Sequence, residues 1–100
     1  EEIRGQILLA DHYGNLLTNV PQDILTQIGI EPGAQVSLNA GAQTLVAPLL
    51  RTYADVAVGE PVAVINSQGM LELAVNQGSM AERLGVGSGQ AIRVRGALFR

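Results

Sequence analysis

Val64-Ile65-Asn66-Ser67-Gln68-Gly69-Met70-Leu71-Glu72-Leu73-Ala74-Val75-Asn76-Gln77-Gly78-Ser79 is the stretch whose reading decides the fold. Two apolar runs, 61–65 and 70–75, flank the turn signal Asn66-Ser67-Gln68-Gly69. Gly69 can adopt positive φ, and the side chain of Asn66 or Ser67 can bond its own backbone, so the stretch predicts a β-hairpin. In the second strand Leu71, Leu73 and Val75 alternate with Glu72, Ala74 and Asn76, which assigns opposite faces to the two sets. On that pattern Glu72 reads as a solvated residue, with a subunit contact as the alternative. Ser79-Met80-Ala81-Glu82 then fits a capping box that opens a short helix, with Glu82 reaching back to the Ser79 N–H.

Working outward, the same grammar recurs. Residues 3–10 predict a strand, with Ile7-Leu8-Leu9 apolar on both faces, and 16–20 predict another beyond the turn Asp11-His12-Tyr13-Gly14-Asn15. Residues 21–29 predict a short helix with Pro21 at its first position and Ile24, Leu25 and Ile28 as its apolar stripe. Strands follow over 35–39 and 44–50, and Ala91-Ile92-Arg93-Val94-Arg95 alternates with its arginines outward, continuing through Leu98. Short strands with turn signals about every 8–12 residues argue for an all-β fold rather than βαβ units. A small closed or nearly closed antiparallel β-barrel with two short helices is the expected architecture, because closure removes edges that the sequence does little to protect.

The 100 residues suffice for one domain. With 47% apolar residues and three aromatics (Tyr13, Tyr53, Phe99) the core must be aliphatic. A net charge of −3 and six arginines without lysine offer no basic stripe, which argues against nucleic acid as a partner. There is no cysteine, and the lone His12 excludes a multi-histidine metal cluster. No apolar run reaches the length of a membrane span and no signal peptide is visible, so a cytoplasmic domain without membrane contact is expected. Glu1-Glu2-Ile3-Arg4 lacks an initiating Met and looks like a cut inside a longer polypeptide. The expected organisation is a linker remnant over 1–4 and a barrel over 5–100.

Polar groups concentrate at three apices: Asp11, Tyr13 and Asn15; Tyr53 and Asp55; Asn66, Ser67 and Gln68. No spacing pairs His12 with a nucleophile, and none singles out a carboxylate pair for glycoside chemistry. The set suits a nucleoside carrying an amino-acid tail. An Asn amide matches N7 and N6 of adenine, and a tyrosine ring offers a stacking face. A carboxylate pairs with ammonium, while a Ser hydroxyl and turn amides receive a carboxylate. The bland readings stand beside these. Asp11 can simply cap a turn, Tyr53 can be a core ring with a wet hydroxyl, and Asn66 divides evenly between turn and ligand. His12 reads as an exposed turn residue, Asn19 and Asn76 as ties for turn backbone, and Arg93 and Arg95 as a solvated face.

Gly5-x-Ile7-x-x-x-Asp11-His12-Tyr13-Gly14-Asn15-x-x-Thr18-Asn19-Val20 resembles the opening of the C-terminal domain of the S-adenosylmethionine (SAM) hydrolases, or SAM hydroxide adenosyltransferases, the family that includes fluorinase and chlorinase. Thr52-Tyr53-Ala54-Asp55 and Asn66-Ser67-x-Gly69-x-Leu71-Glu72-Leu73-Ala74-x-Asn76-x-Gly78 resemble later parts of it in order and spacing. The resemblance implies a β-barrel whose substrate lies between it and the N-terminal domain of a neighbouring subunit in a trimer. It implies that Asp11 binds the methionine ammonium, Asn15 the adenine, and Ser67 the methionine carboxylate. Tyr53 would stack on the base, and main-chain groups near Val75 and Gln77 would meet the adenine edge.

Two departures favour the hydrolase branch over halide chemistry. Gln68 stands where the halogenases carry Arg, and the Asp11-to-Asn15 loop is one residue shorter than theirs. The implied reaction releases methionine and adenosine, with SAM as substrate and no cofactor. The water-activating residues would lie in an absent N-terminal domain, so the isolated barrel should not catalyse. The alternatives are a stand-alone β-barrel that binds a partner without catalysis and a trimerisation module.

Overall fold

The computed structural model describes residues 1–97; the expected continuation of the last strand through Leu98 lies partly outside them. In chain order the elements are β1 (Ile3–Ala10), β2 (Leu16–Pro21), α1 (Gln22–Gln27), β3 (Gln35–Ala40) and β4 (Gln43–Pro48). After a 3₁₀ turn (Tyr53–Asp55) come β5 (Pro61–Ile65), β6 (Met70–Val75), α2 (Met80–Leu84) and β7 (Ala91–Gly96). Seven antiparallel strands run in the order β4-β3-β7-β1-β2-β6-β5. The two ends of that order meet at a single parallel bridge, Leu49 with Ala63, where the Leu50 N–H donates to the Ala63 carbonyl at 2.8 Å. The sheet is thus a nearly closed all-β barrel, as the strand spacing predicts.

The barrel interior is aliphatic. Ile7, Leu16, Val20, Leu25, Val36, Leu38, Leu71, Leu73, Met80, Ile92 and Val94 form one buried cluster. A second, smaller cluster of Val62, Val64 and Ala74 lies on the other face of the β5–β6 ribbon, where Leu50 and Val56 pack against it. Strand β6 is therefore buried on both faces. The alternation read from its sequence is present, but its outer face is roofed by the chain between β4 and β5 instead of facing water.

Three local expectations need correction. Ile7 is fully buried, yet Leu8 and Leu9 are 50% and 44% exposed, because β1 bulges between Ile7 and Leu9 where it exchanges β7 for β2 as partner. Pro21 is the extended N-cap residue of α1 (φ −78°, ψ 154°) and the last residue of β2, not the first helical residue. At α2 the Ser79 hydroxyl accepts from the Glu82 N–H at 3.1 Å, and the return bond from Glu82 is not among those the described residues form. The reciprocal capping box sits at the 3₁₀ turn. There Thr52 accepts from the Ala54 N–H and Asp55 accepts from the Thr52 N–H, each at 3.3 Å.

Leu73→Ala, at a fully enclosed position, should lower unfolding free energy by about 2–5 kcal/mol. Leu8→Ala, on the bulge, should stay within about 0.5 kcal/mol of wild type in the same urea titration. Equal losses would show that the bulge does not turn Leu8 to solvent.

Candidate functional site

The β5–β6 hairpin closes as its sequence dictates. Asn66 Oδ1 accepts from the main-chain N–H groups of Gln68 and Met70 at 3.0 and 3.1 Å, and Gly69 adopts φ +80°. This holds Ser67 at the tip, with its hydroxyl free of partners among the described residues. The β1–β2 loop is organised by Asp11. Its Oδ1 accepts from the Tyr13 and Asn15 N–H groups, both at 2.9 Å, and its Oδ2 accepts from Asn15 Nδ2 at 3.2 Å. Asp11 and Asn15 therefore act as one unit, an Asx-type turn with the amide of Asn15 buried beside it. Gly14, at φ +83°, packs so closely on α2 that a Cβ there would lie 2.0 Å from Ser79 Oγ. The Gly14 carbonyl accepts from the Ala81 N–H at 2.9 Å, which fastens the loop to the start of α2.

These loops and the 3₁₀ turn meet around Tyr53. On one side lies an open groove of about 520 Å³ lined by Tyr13, Asn15, Tyr53, Val75, Asn76, Gln77 and Gly78. On the other lies a polar depression of about 430 Å³, whose lining includes Asp11, Arg51, Thr52, Asn66, Ser67 and Glu72, again with Tyr53. Of the residues singled out from sequence, Asn15, Tyr53, Val75 and Gln77 line the first and Asp11, Tyr53, Asn66 and Ser67 the second. Gln68 lines neither; it lies exposed in the hairpin turn and gives only its N–H to Asn66. Gln77 adopts φ 56°, and among the described residues its main-chain N–H and carbonyl have no protein partner. The Val75 carbonyl already accepts from the Gly78 N–H at 3.1 Å. Asp55 caps its own turn, and Asn76 ties down turn backbone as read, donating to the Val56 carbonyl, whereas Asn19 accepts from the Gln6 N–H within β1 rather than from a turn.

Glu72 overturns its sequence reading. It is 5% exposed, and its carboxylate accepts from the Tyr53 hydroxyl and, at 3.3 Å, from Asn66 Nδ2. Residues 50–56 roof the outer face of β6, and no periodicity in that segment announces it. Arg51, the one cation among the described residues that line the polar depression, was also not legible as a site residue. Burial, then the hydrogen bond and the negative charge of Glu72, then the more distant charge of Asp11, hold the Tyr53 phenol above the usual tyrosine range. Tyr53 therefore stays neutral and hydrogen-bonded at any physiological pH. Among the described residues no three His, Asp or Glu side chains gather as a metal site, and no helix is long and apolar enough to cross a membrane.

The family described as the SAM hydroxide adenosyltransferase C-terminal domain matches residues 5–93. The chain is 34% identical over 93 residues to the (R)-S-adenosyl-L-methionine hydrolase of Thermus thermophilus, covering 90% of this chain and 31% of that protein. It is 37% identical over 95 residues to the fluorinase of an Actinoplanes species, covering 92% and 32% respectively. The crystal structure of an uncharacterized conserved protein from Thermotoga maritima superposes with a TM-score of 0.89 at 29% identity, over 93% of this chain and 35% of that one. The chain thus spans about a third of the length of the curated relatives it matches.

A phenol held above its ordinary value favours folding while protonated. The stability linked to Tyr53 is complete below about pH 10 and is lost as pH rises through the raised folded-state value. Unfolding midpoints measured from about pH 9 to 11 should therefore fall with pH in wild type and fall less steeply in Tyr53→Phe. Parallel curves would contradict the bond from the hydroxyl to Glu72.

Proposed function

The chain belongs to the SAM hydroxide adenosyltransferase family, as its C-terminal domain, and from that premise we propose that it is the substrate-gripping part of an adenosine-forming SAM hydrolase. The observation that carries the reading is the pair of adjoining depressions that share Tyr53 as their wall. One is groove-like, with an aromatic ring, a buried amide and free backbone groups; the other is charged. That division matches a ligand with a purine at one end and an amino-acid zwitterion at the other.

In this reading adenine enters the groove against Tyr53. The Asn15 amide and the free main-chain groups of Gln77 meet its polar edge, while Val75 supplies apolar contact. Asp11 receives the ammonium of the methionine tail. Its oxygens are already oriented by the turn, so no reorganisation is needed on binding. Ser67, whose hydroxyl and N–H have no partner among the described residues, receives the carboxylate. Gln68 brings no charge to that end, and Arg51 is the cation available to the carboxylate.

The reaction is an in-line displacement at ribose C5′. A water oxygen bonds to C5′ as the C5′–S bond breaks and its electron pair remains on sulfur. Methionine and adenosine leave, and the water proton passes to a base. The base and the residues that orient the water belong, in this proposal, to an N-terminal domain of a neighbouring subunit in a cytoplasmic homotrimer. This chain contributes grip and orientation. The short Asp11–Asn15 loop and the neutral Gln68 support water over halide as the nucleophile.

Calorimetric titration with SAM, adenosine and methionine tests the reading. Adenosine and SAM should bind, and Asn15→Ala should weaken both by about 1–3 kcal/mol, the loss of a buried two-point contact. Unchanged affinity would remove Asn15 from the site. A module that only assembles trimers would bind neither ligand.

A further inference from the structure

Glu72 is a carboxylate at 5% exposure in a protein whose net charge is already −3, and no ion pair to an arginine accompanies it among the described residues. Burying an ion without a counter-charge is costly, and side-chain hydrogen bonds offset the cost here. Both of its oxygens are used. Oε2 accepts from the Tyr53 hydroxyl and Oε1 from Asn66 Nδ2. Each donor belongs to a different working part. Tyr53 stands in the 3₁₀ turn and is the wall common to both depressions. Asn66 stands at the base of the hairpin turn, where its own Oδ1 holds the Gln68 and Met70 N–H groups and so sets the loop that presents Ser67.

We propose that Glu72 is the positioning residue of the ligand site, a buried acceptor that fixes the tilt of the Tyr53 ring and the orientation of the Ser67 turn together. The inference rests on the nucleoside-and-tail reading given above and adds to it a residue on the floor of the polar depression whose two carboxylate oxygens are already engaged by Tyr53 and Asn66. The assignment follows from what each bond constrains. A tyrosine that is 37% exposed on a three-residue turn has two free side-chain torsions unless its hydroxyl is anchored. An ionised acceptor anchors a phenol more strongly than a neutral one. The same carboxylate locks the amide of Asn66 in one sense, Nδ2 towards Glu72 and Oδ1 towards the turn, which is the sense the turn requires. The base-stacking wall and the carboxylate-receiving loop are thus preorganised by one group.

The test is calorimetry on the chain with adenosine and with SAM. Glu72→Met keeps length and removes both acceptors, and it should weaken both ligands about tenfold, the equivalent of one charge-assisted hydrogen bond. Glu72→Gln keeps an acceptor in place and should recover to within about threefold of wild type. The effect on adenosine should travel through Tyr53, so Glu72→Met added to Tyr53→Phe should cost little more than Tyr53→Phe alone. In a Tyr13→Phe background, where Tyr53 is the remaining tyrosine, Glu72→Met should lower the midpoint of the ultraviolet phenol titration.

Glu72→Met binding within about twofold of wild type would overturn the inference, as would losses fully additive with Tyr53→Phe. If Glu72→Met does not fold, Tyr53→Phe decides: adenosine affinity equal to wild type overturns the anchoring role, and a several-fold loss supports it. A wild-type chain that binds neither ligand overturns the proposed function and this inference with it. A wild-type chain that binds both while Glu72→Met matches it overturns the inference alone.

Discussion

Strand β6 has no solvent-facing side, and the rest of the molecule is arranged to satisfy that constraint. One face supplies Leu71 and Leu73 to the barrel core. The other carries Glu72 and Ala74, and the segment from Leu50 to Val56 is drawn across it. An apolar roof over a carboxylate is tolerable only if donors come with it, and the roof brings the Tyr53 hydroxyl while the adjoining hairpin brings the Asn66 amide. Covering β6 therefore creates the ridge that separates the two depressions. Fold and site share one cause.

The loop from Asp11 to Asn15 is built on the same economy. Its carboxylate is saturated on one oxygen by main-chain donors and retains acceptor capacity on the other. Gly14, lacking a side chain, lets the loop pack directly on Ser79 at the start of α2. Groups that a ligand would touch are thereby held by groups that it would not, which is how short loops on a small barrel achieve defined geometry.

Local chemistry was legible in the sequence and long-range cover was not. The hairpin over 61–75 was readable because Asn66 and Gly69 carry their turn preferences with them, and the alternating strand at 91–95 because period two survives translation into a sheet. The bulge at Leu8 was hidden, since it arises where β1 changes neighbours, a matter of tertiary pairing. Glu72 was misread for a related reason. Its periodicity correctly put it opposite the core residues, and nothing in the pattern says that a distant aperiodic segment will cover that side. Asp11, Asn15, Tyr53 and Ser67 were credible as a set because of the family resemblance more than composition, and the fold brings them around one ridge. Gln68 is an exposed turn residue that lines neither depression, and Arg51 has no sequence signal because an isolated arginine after an apolar run carries no motif.

The closure between Leu49 and Ala63 carries a mechanical implication. Among the described residues the cylinder of seven strands is joined along six ladders and fastened at the last by a bridge of one residue pair, its sparsest seam. The chain leaves that fastening at Leu50 and runs directly into Arg51, Thr52 and Tyr53. The stretch that closes the cylinder is thus continuous with the one that carries the aromatic ridge, and the packing of Leu50 and Val56 on the outer cluster holds both in place.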